Sequence, residues 1–171
     1  SSVKYNDAYV FASSFPTAVA DQLTNLESNA VFGPYKDGST YKLSKQVAKK
    51  MIPDSTKVRH ILIPFAGSVR ADASVIKTDE QAKATADSIY KAIRSNRSKF
   101  KSLLSLSSDK ASNEKEGVIE FAYSDGFAEE FKAYSFENPK GSLSVVKTNF
   151  GYHIIEILDQ GKKQEEFKIA T

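Results

Sequence analysis

Residues 58–63 read VRHILI and residues 150–157 read FGYHIIEI, two short apolar runs that each hold one of the chain's two histidines. Their length and their β-branched residues predict strands. An imidazole on a half-buried pleated surface needs partners for its ring nitrogens, because an unpaired buried polar group costs about 1–3 kcal/mol. The simplest partner for His60 is His153, so we expect the two strands to be neighbours in one sheet.

The composition is that of a folded globular protein, with 40% hydrophobic and 26% charged residues. The net charge of +3 is small and the lysines are dispersed, so no nucleic-acid partner is expected. The lack of cysteine excludes a disulfide, a thiolate nucleophile and a cysteine-type zinc site. Two histidines and one distant aspartate do not suggest a metal site, and we expect no cofactor.

No apolar run approaches the ~18–20 residues that span a bilayer, so we expect no membrane span in this fragment. The first residue is not Met, and the charged stretch 162–166 does not look like a natural end. The sequence therefore indicates a piece of a longer protein, and leaves open whether the parent protein carries a membrane anchor.

Residues 1–55 are predicted to form a small α+β segment. Pro16 can open a helix whose apolar positions recur with helical spacing, at Val19, Leu23 and Leu26. Asp37-Gly38 between two β-prone runs is a strong hairpin signal. Pro53-Asp54-Ser55 then indicates a boundary, after which we expect a second domain over residues 56–160 and a tail or further segment over residues 161–171.

The second domain is predicted to have an α+β fold with the element order β-α-α-β-α-β-β. Thr78 and Gln81 form the sequence pattern of a capping box at the start of the first helix. Its inner stripe is formed by Ala82, Ala86, Ile89 and Ile93, and a shorter helix follows around Phe100. Residues 118–121 supply a strand, the spacing of Phe127 and Phe131 predicts a third helix, and residues 143–158 close the domain with a hairpin.

One internal repetition is present. Val31–Lys45 aligns with Ser142–Glu156 without a gap, which places Lys42 where the second stretch has His153. Two interpretations stay open: an accidental match of two hairpins, or a front segment that is the tail of a degenerate copy of the second domain.

These residues resemble the parvulin-type (PpiC-like) peptidyl-prolyl cis-trans isomerases, in particular the envelope foldases exemplified by PpiD and SurA. The similarity covers roughly residues 57–159 and is most specific in VRHILI at 58–63 and KTNFGYHII at 147–155. It implies a parvulin-like (FKBP-like) antiparallel sheet with surrounding helices. It also implies an envelope or periplasmic location and a larger folding factor acting on unfolded or extended segments that contain X-Pro.

The resemblance also implies a set of site residues. The core around the substrate peptide bond would be His60, Asp109, Thr148 and His153. The proline pocket would be Val118, Phe121, Phe127 and Phe131. The loop after the first strand lacks the basic cluster of phosphate-directed members, so we expect no phosphoserine or phosphothreonine requirement.

Other interpretations of the same residues remain. The family usually has Gly-Gly-Asp-Leu-Gly before the second strand, whereas residues 115–119 read KEGVI, which favours a catalytically weak or inactive chaperone or peptide-binding module. The histidines could serve only to fix strand register. Without the resemblance, Phe127 and Phe131 would be core residues, Asp109 a helix cap and Thr148 a turn residue.

Overall fold

The computed structural model describes residues 8–171, which form two compact units. The strands are β1 (Val10–Phe11), β2 (Val31–Asp37), β3 (Thr40–Pro53), β4 (Ser55–Ile63), β5 (Val118–Ala122), β6 (Leu143–Thr148), β7 (Gly151–Gln160) and β8 (Lys163–Ala170). The helices are α1 (Ala20–Thr24), α2 (Asp79–Ser95), α3 (Lys99–Leu103), α4 (Lys110–Asn113) and α5 (Glu129–Glu137), with short 3-10 helices at Ala12–Ser14 and Leu104–Leu106. Among these, no helix has both the length and the apolar character needed to cross a bilayer.

The larger unit, Pro53–Lys162, is built on a four-stranded antiparallel sheet with the order β5-β4-β7-β6. The two histidine-bearing strands, β4 and β7, are the central pair. His60 is paired with Ile155, and Leu62 is paired with His153. Because side chains alternate along a strand, this register puts both imidazoles on one face of the sheet. The predicted α+β class is confirmed.

Both faces of this sheet are covered, which is why residues 151–157 of β7 are continuously buried. One face packs Ile61, Ile63 and Ile154 against the inner stripe of α2. The other face packs Val58, Ile155 and Ile157 against the aromatic residues of β5 and α5. The histidines lie on this second face, where Phe131 of the same cluster packs against both rings.

The helix boundaries partly follow the sequence. Thr78 and Gln81 form the predicted capping box, in which each side chain accepts a hydrogen bond from the other residue's backbone N–H. The helix expected around Phe127 and Phe131 begins only at Glu129, so Phe127 precedes it. The front helix is also shorter than its apolar pattern predicted, since it ends at Thr24, before Leu26.

The other unit joins the chain before Pro53 to Lys163–Thr171. Its sheet has the order β1-β8-β3-β2. Most of residues 161–171, expected to be a tail or the start of a further segment, form β8, which lies between β1 and β3. The core of this unit contains Val19 and Leu23, which pack with Tyr35 of β2. The rings of Phe15 and Phe167 are also in contact.

Candidate active site

The structure brings the two histidines together at the centre of the sheet. The Nδ1 atoms of His60 and His153 are 3.1 Å apart, and the two rings are nearly parallel. Both side chains are buried. The ring of Phe131 meets both imidazoles edge to face, with centroid distances of 5.4 Å to His60 and 5.2 Å to His153.

Asp109 holds the outer nitrogen of His60. Its Oδ2 lies 2.7 Å from His60 Nε2, while its Oδ1 accepts the backbone N–H of Ser112 and so caps the short helix α4. The cap and the site interpretations of Asp109 are therefore both true of the same carboxylate. The hydroxyl of Ser112 also lies 3.3 Å from His60 Nε2.

Thr148 holds the outer nitrogen of His153. Its hydroxyl lies 2.7 Å from His153 Nε2 and accepts the backbone N–H of Phe150. Thr148 is the last residue of β6 and His153 lies in β7, so the tight turn between these strands fixes their separation. The turn interpretation of Thr148 and its contact with the site are thus compatible.

When both rings are neutral, these contacts admit one arrangement of protons. A carboxylate can only accept, so His60 donates from Nε2 to Asp109. His60 Nδ1 then accepts from the Nδ1–H of His153, whose Nε2 accepts the hydroxyl proton of Thr148. The four residues form a directed chain that ends on the Asp109 carboxylate.

The electrostatics agree with this arrangement. The hydrogen bond from His60, with smaller contributions from Ser112, holds the pKa of the Asp109 carboxyl well below its usual range. Burial, with a smaller effect of neighbouring His60, lowers the pKa of His153 to about 3. At neutral pH the site therefore contains an ionised Asp109 and an uncharged His153.

A cavity of about 420 Å³ opens over the histidine pair. Its apolar wall contains Phe127 and Phe131, whose rings stack with centroids 5.7 Å apart. Asp109 and both histidines line its polar side. This volume is within the range of small-molecule and side-chain pockets.

Two predicted pocket residues do not line this cavity. Val118 pairs with Arg59 in the sheet, so by strand alternation its side chain points to the α2 face, and the neighbouring Ile119 lines the cavity instead. Phe121 is buried beneath the pocket, with its ring against those of Phe127 and Phe131. It supports the wall without lining it.

Sequence reasoning missed one side of the cavity, which the loop after β4 supplies. Val69, Arg70, Asp72 and Val75 come from this loop, and Phe150 comes from the turn after β6. Irregular loops have no periodic sequence signal, so these loop residues could not be predicted. Ile119 could have been, because it is two residues from Phe121 on the same strand and therefore lies on the same face.

The departure from the family pattern at residues 115–119 leaves the backbone contact to β4 intact. Gly117 adopts a φ of 77°, and its carbonyl accepts the backbone N–H of His60 at 3.0 Å. A Cβ on Gly117 would lie 2.7 Å from Leu104 Cδ2 and 2.9 Å from the His60 carbonyl oxygen. The single glycine of this loop is therefore the one that the close approach requires.

Within residues 8–171, no three or more His, Cys, Asp or Glu side chains are grouped closely enough to hold a metal ion. The Asp109 carboxylate is instead used in hydrogen bonds with His60 and with the backbone N–H of Ser112.

A sequence model of the PPIC-type PPIase domain matches residues 41–161. The chain belongs to the PpiC-type peptidyl-prolyl isomerase family. Chaperone SurA of Aliivibrio fischeri is 30% identical over 151 residues, which cover 85% of this chain and 33% of that protein. Chaperone SurA of Photobacterium profundum is 32% identical over 151 residues, with the same coverage of 85% and 33%. The chain thus spans about a third of the length of these relatives.

Solved structures show the same fold. The peptidyl-prolyl isomerase ESS1 from Candida albicans superposes with a TM-score of 0.56 at 20% identity, over 62% of this chain and 63% of that one. The solution structure of TbPIN1 gives a TM-score of 0.54 at 25% identity, over 62% of this chain and 98% of that one. The predicted resemblance to parvulins is confirmed.

Proposed function

We propose that residues 53–162 catalyse cis-trans isomerisation of X-Pro bonds in extended segments of unfolded polypeptides. The observation that carries this proposal is the pair of hydrogen-bonded imidazoles at the base of an apolar cavity lined by Phe127 and Phe131. The proposed site residues are His60, Asp109, Thr148 and His153 on the polar side, with Ile119 added to the two phenylalanines.

The reaction requires no bond to be broken. The barrier of about 18–20 kcal/mol comes from the partial double-bond character of the amide, which is lost when the C–N bond twists. A site that binds the twisted amide better than the planar one lowers this barrier. A less solvated cavity favours the twisted form, because the planar amide is more polar and is better stabilised by water.

The cavity provides the features that such a mechanism needs. The stacked rings of Phe127 and Phe131 form a flat apolar surface for a pyrrolidine ring. Because Asp109 accepts from His60 and His153 accepts from Thr148, the polar side is held rigid before a substrate arrives. No covalent step on Asp109 is needed.

The charges at the cavity do not favour a phosphorylated substrate. Arg70 is the one cationic side chain among the lining residues, whereas Asp72 and Asp109 both line the cavity with lowered carboxyl pKa values. The repulsion between the two carboxylates and a doubly charged phosphate outweighs the attraction of the single guanidinium. We propose that phosphorylation before the proline is not required.

We further propose that the clients are unfolded chains in the bacterial envelope. The support is the 30–32% identity to proteins named chaperone SurA over 85% of this chain. The cavity selects for an apolar ring and its polar side for a peptide unit, so recognition depends on an exposed X-Pro segment rather than on a folded partner surface.

The test is a protease-coupled or NMR exchange assay on short Ala-Pro and Phe-Pro peptides. Uncatalysed X-Pro bonds relax in tens to hundreds of seconds, so micromolar protein should shorten this time measurably. Phe127→Ala should reduce the catalysed rate at least tenfold, because it removes half of the stacked wall. The matched control is Phe65→Ala, a half-buried phenylalanine that packs on the other face of the sheet.

A second candidate function is peptide binding without turnover, favoured by the chaperone relatives and by the departure at residues 115–119. No acceleration at micromolar protein, together with measurable binding of unfolded chains that Phe127→Ala weakens, would establish this alternative and reject catalysis.

A further inference from the structure

We call the unit formed by the chain before Pro53 and Lys163–Thr171 the front unit, and Pro53–Lys162 the isomerase unit. The front unit repeats the sheet of the isomerase unit in permuted chain order. The strand order β1-β8-β3-β2 matches β5-β4-β7-β6 position for position. In both sheets a short strand leads through a helix into a hairpin, as β1, α1, β2 and β3 do in one and β5, α5, β6 and β7 in the other. The strand next to the hairpin precedes it in the isomerase unit and follows it, as β8, in the front unit.

The two hairpins share their register at the turn. Asp37 pairs with Thr40 and Tyr35 with Lys42 in one hairpin. Thr148 pairs with Gly151 and Val146 with His153 in the other. The gap-free match of Val31–Lys45 to Ser142–Glu156 is therefore a structural equivalence, with a register shift only at Phe32/Tyr35.

The polar pair of the active site has a counterpart. Thr148 contacts His153 in the isomerase unit, and at the equivalent positions Lys42 Nζ lies 2.6 Å from Asp37 Oδ2. Lys42 and Asp37 are 39% and 34% exposed, so the pair is accessible from the surface.

The position of His60 has a counterpart as well. β8 and β3 run in opposite directions, since Ser44 contacts Thr171 while Lys49 pairs with Glu165. Ser44 is equivalent to Ile155, the residue paired with His60. Thr171 directly follows β8, and its hydroxyl is 2.7 Å from that of Ser44, so it lies near the position that corresponds to His60.

A second cavity lies over this altered pair. Its volume is about 680 Å³, and Lys42, Asp37 and Thr171 line it together with residues beneath and beside the sheet. The apolar lining comes from Val10, Phe15, Pro16, Leu23, Tyr35 and Ile169. It thus combines an apolar wall with a polar pair at the same end of the hairpin, as the isomerase cavity does.

We propose that this cavity is a second binding site, which holds an apolar segment of an extended polypeptide without isomerising it. The Lys42 ammonium has three donors and the Asp37 carboxylate about four acceptor positions, and their mutual bond uses one of each. The remaining capacity fits the C=O and N–H of a peptide unit, while the half-buried side chains of Phe15 and Ile169 contact its side chains. Because the imidazole pair is absent at these positions, proline is not required.

The test uses the full chain labelled with ¹⁵N and a blocked, proline-free peptide, Ser-Phe-Ser-Leu-Ser-Phe-Ser. Titration should shift the backbone amides of Phe15, Lys42 and Ile169, with the amides of His60 and His153 unchanged. Ser14 is exposed and lines the cavity, so Ser14→Trp fills it without altering the core and should raise the dissociation constant at least tenfold.

The matched control is Ser13→Trp, at a neighbouring exposed position that does not line this cavity, and it should leave the affinity unchanged. Equal affinities for the two variants, shifts confined to the isomerase unit, or no shifts at millimolar peptide would each overturn the proposal. The X-Pro assay run in parallel keeps the two proposals separate, because binding here does not depend on isomerase activity.

Discussion

His153 links the site to the stability of the fold through its buried, uncharged ring. Burial keeps its pKa at about 3 in the folded protein, against about 6.5 for an unfolded histidine. Below pH 6.5 the unfolded chain binds a proton that the folded site rejects. This contribution to stability is therefore complete above pH 6.5 and is lost as the pH falls towards 3.

We expect the free energy of unfolding to fall by about 2 kcal/mol between pH 7.5 and pH 5 through this residue. Urea denaturation across that range measures the fall, and His153→Gln, which does not titrate, should reduce it. The direct measurement is the ¹⁵N signal of the His153 ring, which should remain that of a neutral imidazole at pH 5. A charged ring at pH 5 would contradict the assignment.

At this scale, the sequence predicted which side chains meet when they lie on strands. His60 and His153 could be paired because strand alternation and the cost of unpaired imidazoles restrict their positions. Arg70 and Asp72 could not be placed in the cavity, because they belong to an irregular loop whose path depends on packing. Val118 was predicted to line the pocket but lies on the other face of the sheet, because a shift of one residue along a strand reverses the face.

At the scale of elements, the loop that carries Gly117 connects α4 to the edge strand β5 of the isomerase unit. The contact between this loop and His60 is a backbone hydrogen bond. Because Gly117 has no side chain, the loop can approach β4 closely enough to form it. Glu116 beside it also has a positive φ, of 57°, where a non-glycine residue is uncommon.

Gly117→Ala should destabilise the protein by about 2–4 kcal/mol, because it adds a backbone penalty of about 1 kcal/mol to a clash with Leu104 and the His60 carbonyl. Urea denaturation measures the loss. Gly67→Ala is the matched control, since Gly67 has a φ of 83° and nothing within 4 Å of a built Cβ. Equal losses in the two variants would mean that the close approach is unimportant.

Element boundaries show what local pattern can and cannot predict. The capping box at Thr78 was readable because its two hydrogen bonds are local. The late start of α5 was not, since the spacing of Phe127 and Phe131 fits helix and loop equally well once both rings stack in the cavity. The strand β8 could not be predicted from local pattern, because β1 lies far from it in sequence and β3 is separated from it by the whole of residues 54–162.

At the scale of the whole molecule, the two units differ in chain continuity. Pro53–Lys162 is one uninterrupted stretch with its own sheet, two hydrophobic clusters and the complete candidate site. The front unit needs both flanks, since β8 lies between β1 and β3 in its sheet.

A fragment of residues 53–162 should therefore fold cooperatively and retain the X-Pro activity of the full chain within about twofold, measured by circular dichroism and the peptide assay. A chain ending at residue 162 is the complementary control. It should keep that activity while losing the front-unit amide signals, because the front sheet then lacks β8, one of its two central strands. A 53–162 fragment that fails to fold would show that the unit is not autonomous.

The way the isomerase unit closes on itself has a consequence for its neighbour. Its first and last residues are tied by hydrogen bonds from Asp54 to the carbonyl of Lys162 and from Gly161 to that of Ser55. While the isomerase unit is folded, these bonds hold the end of β3 next to the start of β8. When the isomerase unit is unfolded, pairing β3 with β8 requires closing a flexible loop on the order of 100 residues, which costs about 4 kcal/mol of conformational entropy. Heat or mutation that unfolds the isomerase unit should therefore also destabilise the front unit. Unfolding of the front unit should leave the isomerase unit folded.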